Sequence, residues 1–238
     1  MEDKVTLTLD WSDETVGTAV QQQSYRAQAA AILRSQIVSG RLEAGTLLSI
    51  GSVAERLKVS ITPVREALHD LAKDGLVEMR RNRGFIVRRP TPDELDQINE
   101  VRALLEIPAI RTITQRGLID DYAPHRELCV RTRGYAMARD WSSFVATDRE
   151  FHLGLLRGLG NDELVTMVGT LRDRSRLLGL DQIGDSVTFD RSLQEHDDLL
   201  EAMAAGDADR AAEIMATHLR HVRGLWAGLD ESDAGHEH

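Results

Sequence analysis

SVAERLKVSITPVREALHDLAKDGLVEMRRNRGFIVR, residues 52–88, decides how this chain folds. Ser52 and Glu55 stand as N-cap and N3, each able to satisfy a backbone N–H of the other, which predicts a helix from Val53. That helix is short, because Thr62 can cap a second helix and Pro63 fits its first position without losing a hydrogen bond. Two helices this close must turn sharply. In the second, Val64, Ala67, Leu68 and Leu71 keep the i, i+3, i+4, i+7 spacing of a buried stripe and leave Thr62, Arg65 and His69 on the opposite, solvated face. Gly75 is placed to end this helix in a left-handed conformation. Residues 76–80 and 85–88 then read as strands around the turn Arg81-Asn82-Arg83-Gly84. A basic hairpin after two tightly joined helices is a winged helix-turn-helix, whose second helix enters the major groove of duplex DNA.

Charge agrees with that partner. Residues 24–92 hold twelve Lys or Arg against six Asp or Glu, a balance of +6 in a chain whose net charge is −10. Residues 93–238 hold sixteen basic and twenty-eight acidic side chains, or −12, so phosphate would repel them. Only the first domain is expected to touch DNA, and that binding should weaken steeply with salt as counterions are released.

At 238 residues and 42% hydrophobic, the chain supports about two domains with proper cores. No run approaches the roughly 20 apolar residues that span a bilayer, and Met1-Glu2-Asp3-Lys4 lacks the layout of a signal peptide, so the expected compartment is the cytoplasm. Cys129 is the only cysteine, which excludes an internal disulfide and marks a small buried side chain. Residues 1–22 form an acidic, polar tail in which Val5–Leu9 either pairs as a strand or stays disordered. Tyr25, Ala29, Ile32, Leu33 and Ile37 form a helical stripe that ends at Gly40 and leads the DNA module, whose expected extent is 23–90.

Arg89-Pro90-Thr91-Pro92 marks a boundary, with Thr91, Pro92 and Glu94 as a fresh N-cap, N1 and N3. Beyond it, helical periodicity predicts segments at 92–116, 120–138, 142–159, 162–178, 189–204 and 207–228. The expected fold is mainly α: the winged module, then an antiparallel bundle of six or seven helices over 91–230, then a tail at 231–238. Asp148 and His152, at i and i+4, project from one helical face. His196 shares a stripe with Leu199, Leu200 and Met203, and His218 is flanked by Ile214, Met215, Leu219 and Val222, so both face inward. Four such groups either satisfy core polar partners one by one or hold a divalent ion together.

Val59-Ser60-Ile61-Thr62-Pro63-Val64-Arg65-Glu66-Ala67-Leu68 and Asn82-Arg83-Gly84-Phe85-Ile86-Val87 resemble the recognition helix and wing of the GntR family of bacterial regulators. The chain departs from the family at Ile61 and Gly51, where an Arg is usual, and at Lys58, where Gly is frequent. The resemblance implies that Arg65 meets base edges or phosphates and that Arg83-Gly84 reaches the minor groove, while Lys58 could replace a phosphate contact. Residues 92–228 resemble the effector domain of the FadR subgroup, through Asp148-Arg149-Glu150-Phe151-His152, Asn161, Glu195–Met203, Gly206-Asp207 and His218. That implies Zn²⁺, Ni²⁺ or a similar ion on Asp148, His152, His196 and His218, with His221 a substitute ligand or a surface residue.

The stretch Glu100-Val101-Arg102-Ala103-Leu104-Leu105-Glu106 also matches the family and would aim Arg102 into the bundle. A guanidinium beside a metal suits a small carboxylate, the alternative being an intrahelical pair with Glu106. Arg172, Arg174 and Arg176 read as a solvated or dimer-facing surface. The implied function is a homodimeric, ligand-responsive regulator, a repressor, not an enzyme. Two alternatives are an all-helical metal hydrolase, suggested by His196-Asp197, and a DNA-binding protein whose metal is purely structural. Asp197 should point about 100° away from His196, which weakens the hydrolase.

Overall fold

The computed structural model describes residues 14–177 and 187–227, so Val5–Leu9 and the expected tail 231–238 lie outside the described residues. The order is α1 (Glu14–Val38), β1 (Leu47–Leu48), α2 (Ile50–Leu57), α3 (Ile61–Lys73), β2 (Val77–Arg80) and β3 (Gly84–Val87). Six helices follow: α4 (Pro92–Arg116), α5 (Ala123–Met137), α6 (Trp141–Arg157), α7 (Asp162–Ser175), α8 (Val187–Ala204) and α9 (Ala208–Ala227). The fold is mainly helical, a winged helix-turn-helix followed by a helical domain.

Val64, Ala67, Leu68 and Leu71 of α3 are all fully buried, so the stripe read from the sequence is the core of the head. Burying each of the larger three stabilises the fold by about 1.5–3 kcal/mol. The sheet is antiparallel with order β1-β3-β2, and its register sets Leu48 and Met79 on either side of Phe85. Strand β1 is only two residues long and carries no alternating pattern to find it by.

Two caps differ from expectation. Ser49, not Ser52, caps α2: its backbone is already extended (φ −78, ψ 134) and its hydroxyl accepts from Ser52 N at 3.1 Å. Ser60 caps α3 in place of Thr62. Pro63 is therefore the third helical residue, which the helix tolerates because its first four N–H groups lack intrahelical acceptors anyway. In α1, Ala29, Leu33 and Ile37 are buried, whereas Tyr25 and Ile32 are exposed, and the helix begins upstream of Tyr25, at Glu14.

Thr91 and Glu94 form the expected reciprocal capping box at the start of α4, with Pro92 at its first position. In the helical domain α4 packs on α9 and α7, α5 on α6 and α8, and α8 on α9. One apolar cluster lies inside it, around Ile113, Phe151, Leu155, Leu200 and Met215. The other begins in the head, with Leu68, Leu71 and Phe85, and continues into Ala136, Phe144, Val145, Phe189 and Leu193 of the helical domain. Head and bundle therefore share a core.

Candidate functional site

The exposed side of α3 presents Thr62, Arg65 and His69 to solvent, as the buried stripe requires. His69 also leans edge-on against Phe85, with ring centroids 5.2 Å apart, which fixes its direction. Arg65 has no ion-pair partner among the described residues: Glu66 faces Arg26 at 4.0 Å, and Asp70 takes both Arg26 Nε and Nη2 at 2.6 Å. A groove of about 590 Å³ runs between α3 and the wing, lined by Arg65, His69, Arg80, Arg81, Arg83 and Phe85 among others. Lys58, Arg65, Arg80, Arg81 and Arg83 are among the exposed cations of the head.

Two backbone features shape this face. Gly84 has φ +113, and a Cβ there would lie 2.4 Å from the Leu48 carbonyl oxygen, so only glycine lets the wing pass β1. Lys58 ends α2 in the left-handed region at φ 56, the conformation glycine adopts at least cost. That geometry accounts for the glycine usual in the resembled family, and here it holds a lysine instead.

Asp148 and His152 enter the helical domain from α6, His196 from α8 and His218 from α9, all at 5% exposure or less. One ring nitrogen from each of the three imidazoles lies within 4.8 Å of the others. His152 Nε2 sits 3.1 Å from His196 Nε2, and Asp148 Oδ1 lies 3.8 and 3.5 Å from those two nitrogens. Burial, then the neighbouring Arg172 and imidazoles, holds His152 well below the usual range. His196 is lowered to about 3, again chiefly by burial and then by His218. Neutral imidazoles whose ring nitrogens converge in this way are what a divalent cation requires.

His218 shows how its tautomer is fixed. Burial works to raise the Glu195 carboxyl, but hydrogen bonds and charge from His218 and His221 hold it below its ordinary value. An ionised carboxylate only accepts, so His218 Nδ1–H donates to Glu195 Oε2 at 3.0 Å and Nε2 is the nitrogen left to the interior. That Nε2 is buried and has no hydrogen-bond partner. His221 is half-buried, 17% exposed, and its Nδ1 lies 2.5 Å from Glu195 Oε1. Glu195 thus serves two histidines, a role that no local pattern in the sequence marks.

Arg172 and Arg176 correct a second expectation. They are 1% and 5% exposed, not a solvated face. Arg172 Nη2 donates to Asp148 Oδ2 at 3.0 Å, and Arg176 pairs with the same oxygen. Burial alone would raise the Asp148 carboxyl, yet Arg176 and Arg172 outweigh it and hold it far below the ordinary carboxylate range. Arg102 points inward as expected, 2% exposed, and its Nε also donates to Glu106 Oε1 at 2.7 Å, so the inward and intrahelical readings both hold. Glu106 accepts from Arg172 Nη1 at 3.2 Å as well. Burial pulls Arg102 down to about 10 against the opposing pull of Glu106. Arg102 Nη2 and Arg172 Nε are buried donors without partners.

Asp197 leaves the chamber, as its helical position predicts, and pairs with Arg133. Cys129 is buried, and burial, then Asp197, pushes its thiol up to about 12, so a thiolate is not formed near neutral pH. No helix among the described residues is long and apolar enough to cross a membrane.

A helix-turn-helix head with a buried, histidine-rich helical domain defines a class of bacterial regulator, and comparison with known proteins agrees. Residues 25–87 match the model of the bacterial regulatory proteins of the gntR family, and residues 97–221 match that of the FCD domain. An uncharacterized HTH-type transcriptional regulator in an unstable DNA locus of Streptomyces ambofaciens is 30% identical over 193 residues, 80% of each chain. The HTH-type transcriptional repressor RspR of Escherichia coli is 28% identical over 208 residues, 85% of this chain and 87% of that one. Among solved structures, E. coli McbR/YncC has the same fold, with a TM-score of 0.77 at 24% identity, covering 86% of this chain and 97% of that chain. The chain belongs to the GntR family of transcription regulators and carries an FCD domain.

Proposed function

We propose that the protein is a cytoplasmic, homodimeric repressor of the FadR subgroup that senses a small organic acid at a divalent ion. The observation that carries this reading is His218 Nε2, buried and without a hydrogen-bond partner, close to two further imidazoles and Asp148. An orphaned buried polar atom is costly in free energy, and a cation shared by three neutral imidazoles and a carboxylate removes that cost. The donor set suits Zn²⁺ or Ni²⁺. In this reading Asp148, His152, His196 and His218 are the ligands. When bound, the ion supplies a Lewis-acidic position for a carboxylate or hydroxyl oxygen.

The chain's own residues do the rest. Arg102 Nη2 offers a buried cationic donor to the acid, and Glu106 holds that guanidinium in place. Glu195 keeps His218 in the tautomer that points Nε2 inward. Residues 23–90 form the operator-binding unit, with Thr62, Arg65 and His69 reading the major groove, Lys58 on a phosphate, and Arg83-Gly84 in the minor groove. Residues 91–230 form the sensing and dimerisation unit. Binding of the acid shifts the bundle helices and changes the spacing of two heads on a palindromic operator.

Metal analysis of the purified chain, joined to a thermal-shift screen of small carboxylates, tests this. Stoichiometric zinc or nickel is expected, with a rise in melting temperature for the acids that bind, and His196→Ala should lose both responses. A chain that never takes up a divalent ion overturns the reading. Bound ion with DNA affinity that no carboxylate changes would reduce the ion to a structural role.

A further inference from the structure

Two pairs of sequence neighbours, Asp148-Arg149 on α6 and Arg172-Asp173 on α7, meet across one helix contact. Adjacent helical residues point about 100° apart, so each helix sends one side chain into the histidine chamber and the next one out of it. Inside, Arg172 Nη2 donates to Asp148 Oδ2 at 3.0 Å. Outside, Arg149 Nε donates to Asp173 Oδ1 at 2.9 Å. The remaining oxygen of Asp173, Oδ2, accepts from Arg34 Nη1 of α1 at 3.0 Å. Arg34 Nη2 pairs in turn with Asp74, the residue that closes α3.

We propose that Asp173 and Arg34 are the link through which occupancy of the chamber reaches the recognition helix. The link rests on the reading above, that the chamber holds an ion. Asp173 is 1% exposed, and loss of either arginine leaves one of its two buried oxygens without a charged donor. Helices α7 and α1 therefore move together, or Arg34 switches its hold between its two carboxylates, Asp173 and Asp74. Either response is a discrete rearrangement of the kind that carries coupling between sites.

The input side is equally direct. Asp148 Oδ2 is held by Arg172 and Arg176 while Oδ1 faces His152 and His196. An occupant that draws Oδ1 tugs Arg172, and the next residue on the same helix is Asp173. Helix α7 also reaches the end of α3 through Arg174, whose Nε would be 3.1 Å from a Cβ on Gly75. On the output side α1 is fastened to α3 a second time, by Arg26 on Asp70 at 2.6 Å. A shift of α1 at Arg34 is thus passed to the whole of α3 and not to its last residue alone.

Amide hydrogen exchange on the full chain, with and without zinc, tests the link in the wild type, Asp173→Asn and Arg34→Gln. The first variant is isosteric, and the second alters a partly exposed residue and leaves the Arg149–Asp173 pair intact, so one covers for the other if folding suffers. Zinc is expected to slow exchange in α6, α8 and α9 of all three proteins and to change exchange across residues 61–73 in the wild type. Both variants should lose the change at 61–73 while keeping the response around the histidines. A full response at 61–73 in either folded variant, or none there in the wild type, overturns the link and leaves the metal reading standing. No zinc response even in α6, α8 and α9 of the wild type overturns the metal reading and the link with it.

Discussion

The head and the helical domain solve opposite problems with the same residue types. In the head, the stripe Val64, Ala67, Leu68 and Leu71 goes inward and every cation of the candidate DNA face stays in water. In the helical domain Arg102, Arg172 and Arg176 are buried with Glu106 and Asp148, among histidines. Exposed charge costs little to keep and is free to meet phosphate, whereas buried charge must be paired and is therefore fixed in direction. An arginine is a ligand in waiting on one side of the molecule and a structural strut on the other.

The sharpest way to break this contrast is Arg172→Met. Removing the guanidinium leaves Glu106 to Arg102 alone and Asp148 to Arg176 alone, and the expected loss is up to about 3–5 kcal/mol of folding stability, read by chemical denaturation. A loss below about 1 kcal/mol would mean the buried cluster is wet, like a surface pair.

Acid attacks the same domain more gradually. His152 and His196 have folded values below those of the unfolded chain, so below about 6.5 the unfolded state takes up protons that the folded state refuses. The metal-free protein should lose up to about 1.4 kcal/mol per imidazole for each pH unit below 6.5, a loss that for His196 ends near its folded value of about 3. Asp148 and Glu195 act in the same direction but lower, because their stabilisation is present above the ordinary carboxylate value and disappears as pH falls through their depressed ones. Melting temperature against pH checks this, and a flat profile from pH 7 to 5 would contradict it. In the presence of zinc, the drop should move to lower pH, since the ion competes with protons for the same nitrogens.

In the head, Arg65→Ala should weaken binding to an operator duplex by about 1–3 kcal/mol while stability changes by no more than about 0.5 kcal/mol. Equal losses in binding and stability would show that Arg65 is a strut after all. The smallest effect is expected at Lys58→Gly, where relief of the left-handed backbone stabilises α2 by about 1 kcal/mol or less. If Lys58 meets a phosphate, the salt dependence of DNA binding should also fall by about one counterion.

What was legible in the sequence follows the same division. The head is built from local rules, so the α3 stripe, the Gly75 stop and the basic wing can all be read directly from the residues. The six later helices were equally readable from periodicity and from Gly117, Gly160 and Gly206, each of which lies at positive φ at or just beyond a helix end. Of the buried arginines, Arg172 and Arg176 were not. Arg172 sits in a run of alternating charge that normally marks a solvated face, and its partners Asp148 and Glu106 are 24 and 66 residues away. Nothing local announces such a pair. Glu195 was hidden for a different reason, since a carboxylate beside a histidine in the chain normally points elsewhere, and only the approach of α9 brings His218 and His221 to it.

The apolar cluster that begins at Leu33 and ends at Leu193 bears on handling of the protein. A fragment cut after Arg89 would remove the helical-domain half of that cluster and uncover apolar surface of the head, so the amino-terminal piece is a poor stand-in for the intact regulator and prone to clump. Calorimetry of the whole polypeptide should accordingly give a single endotherm.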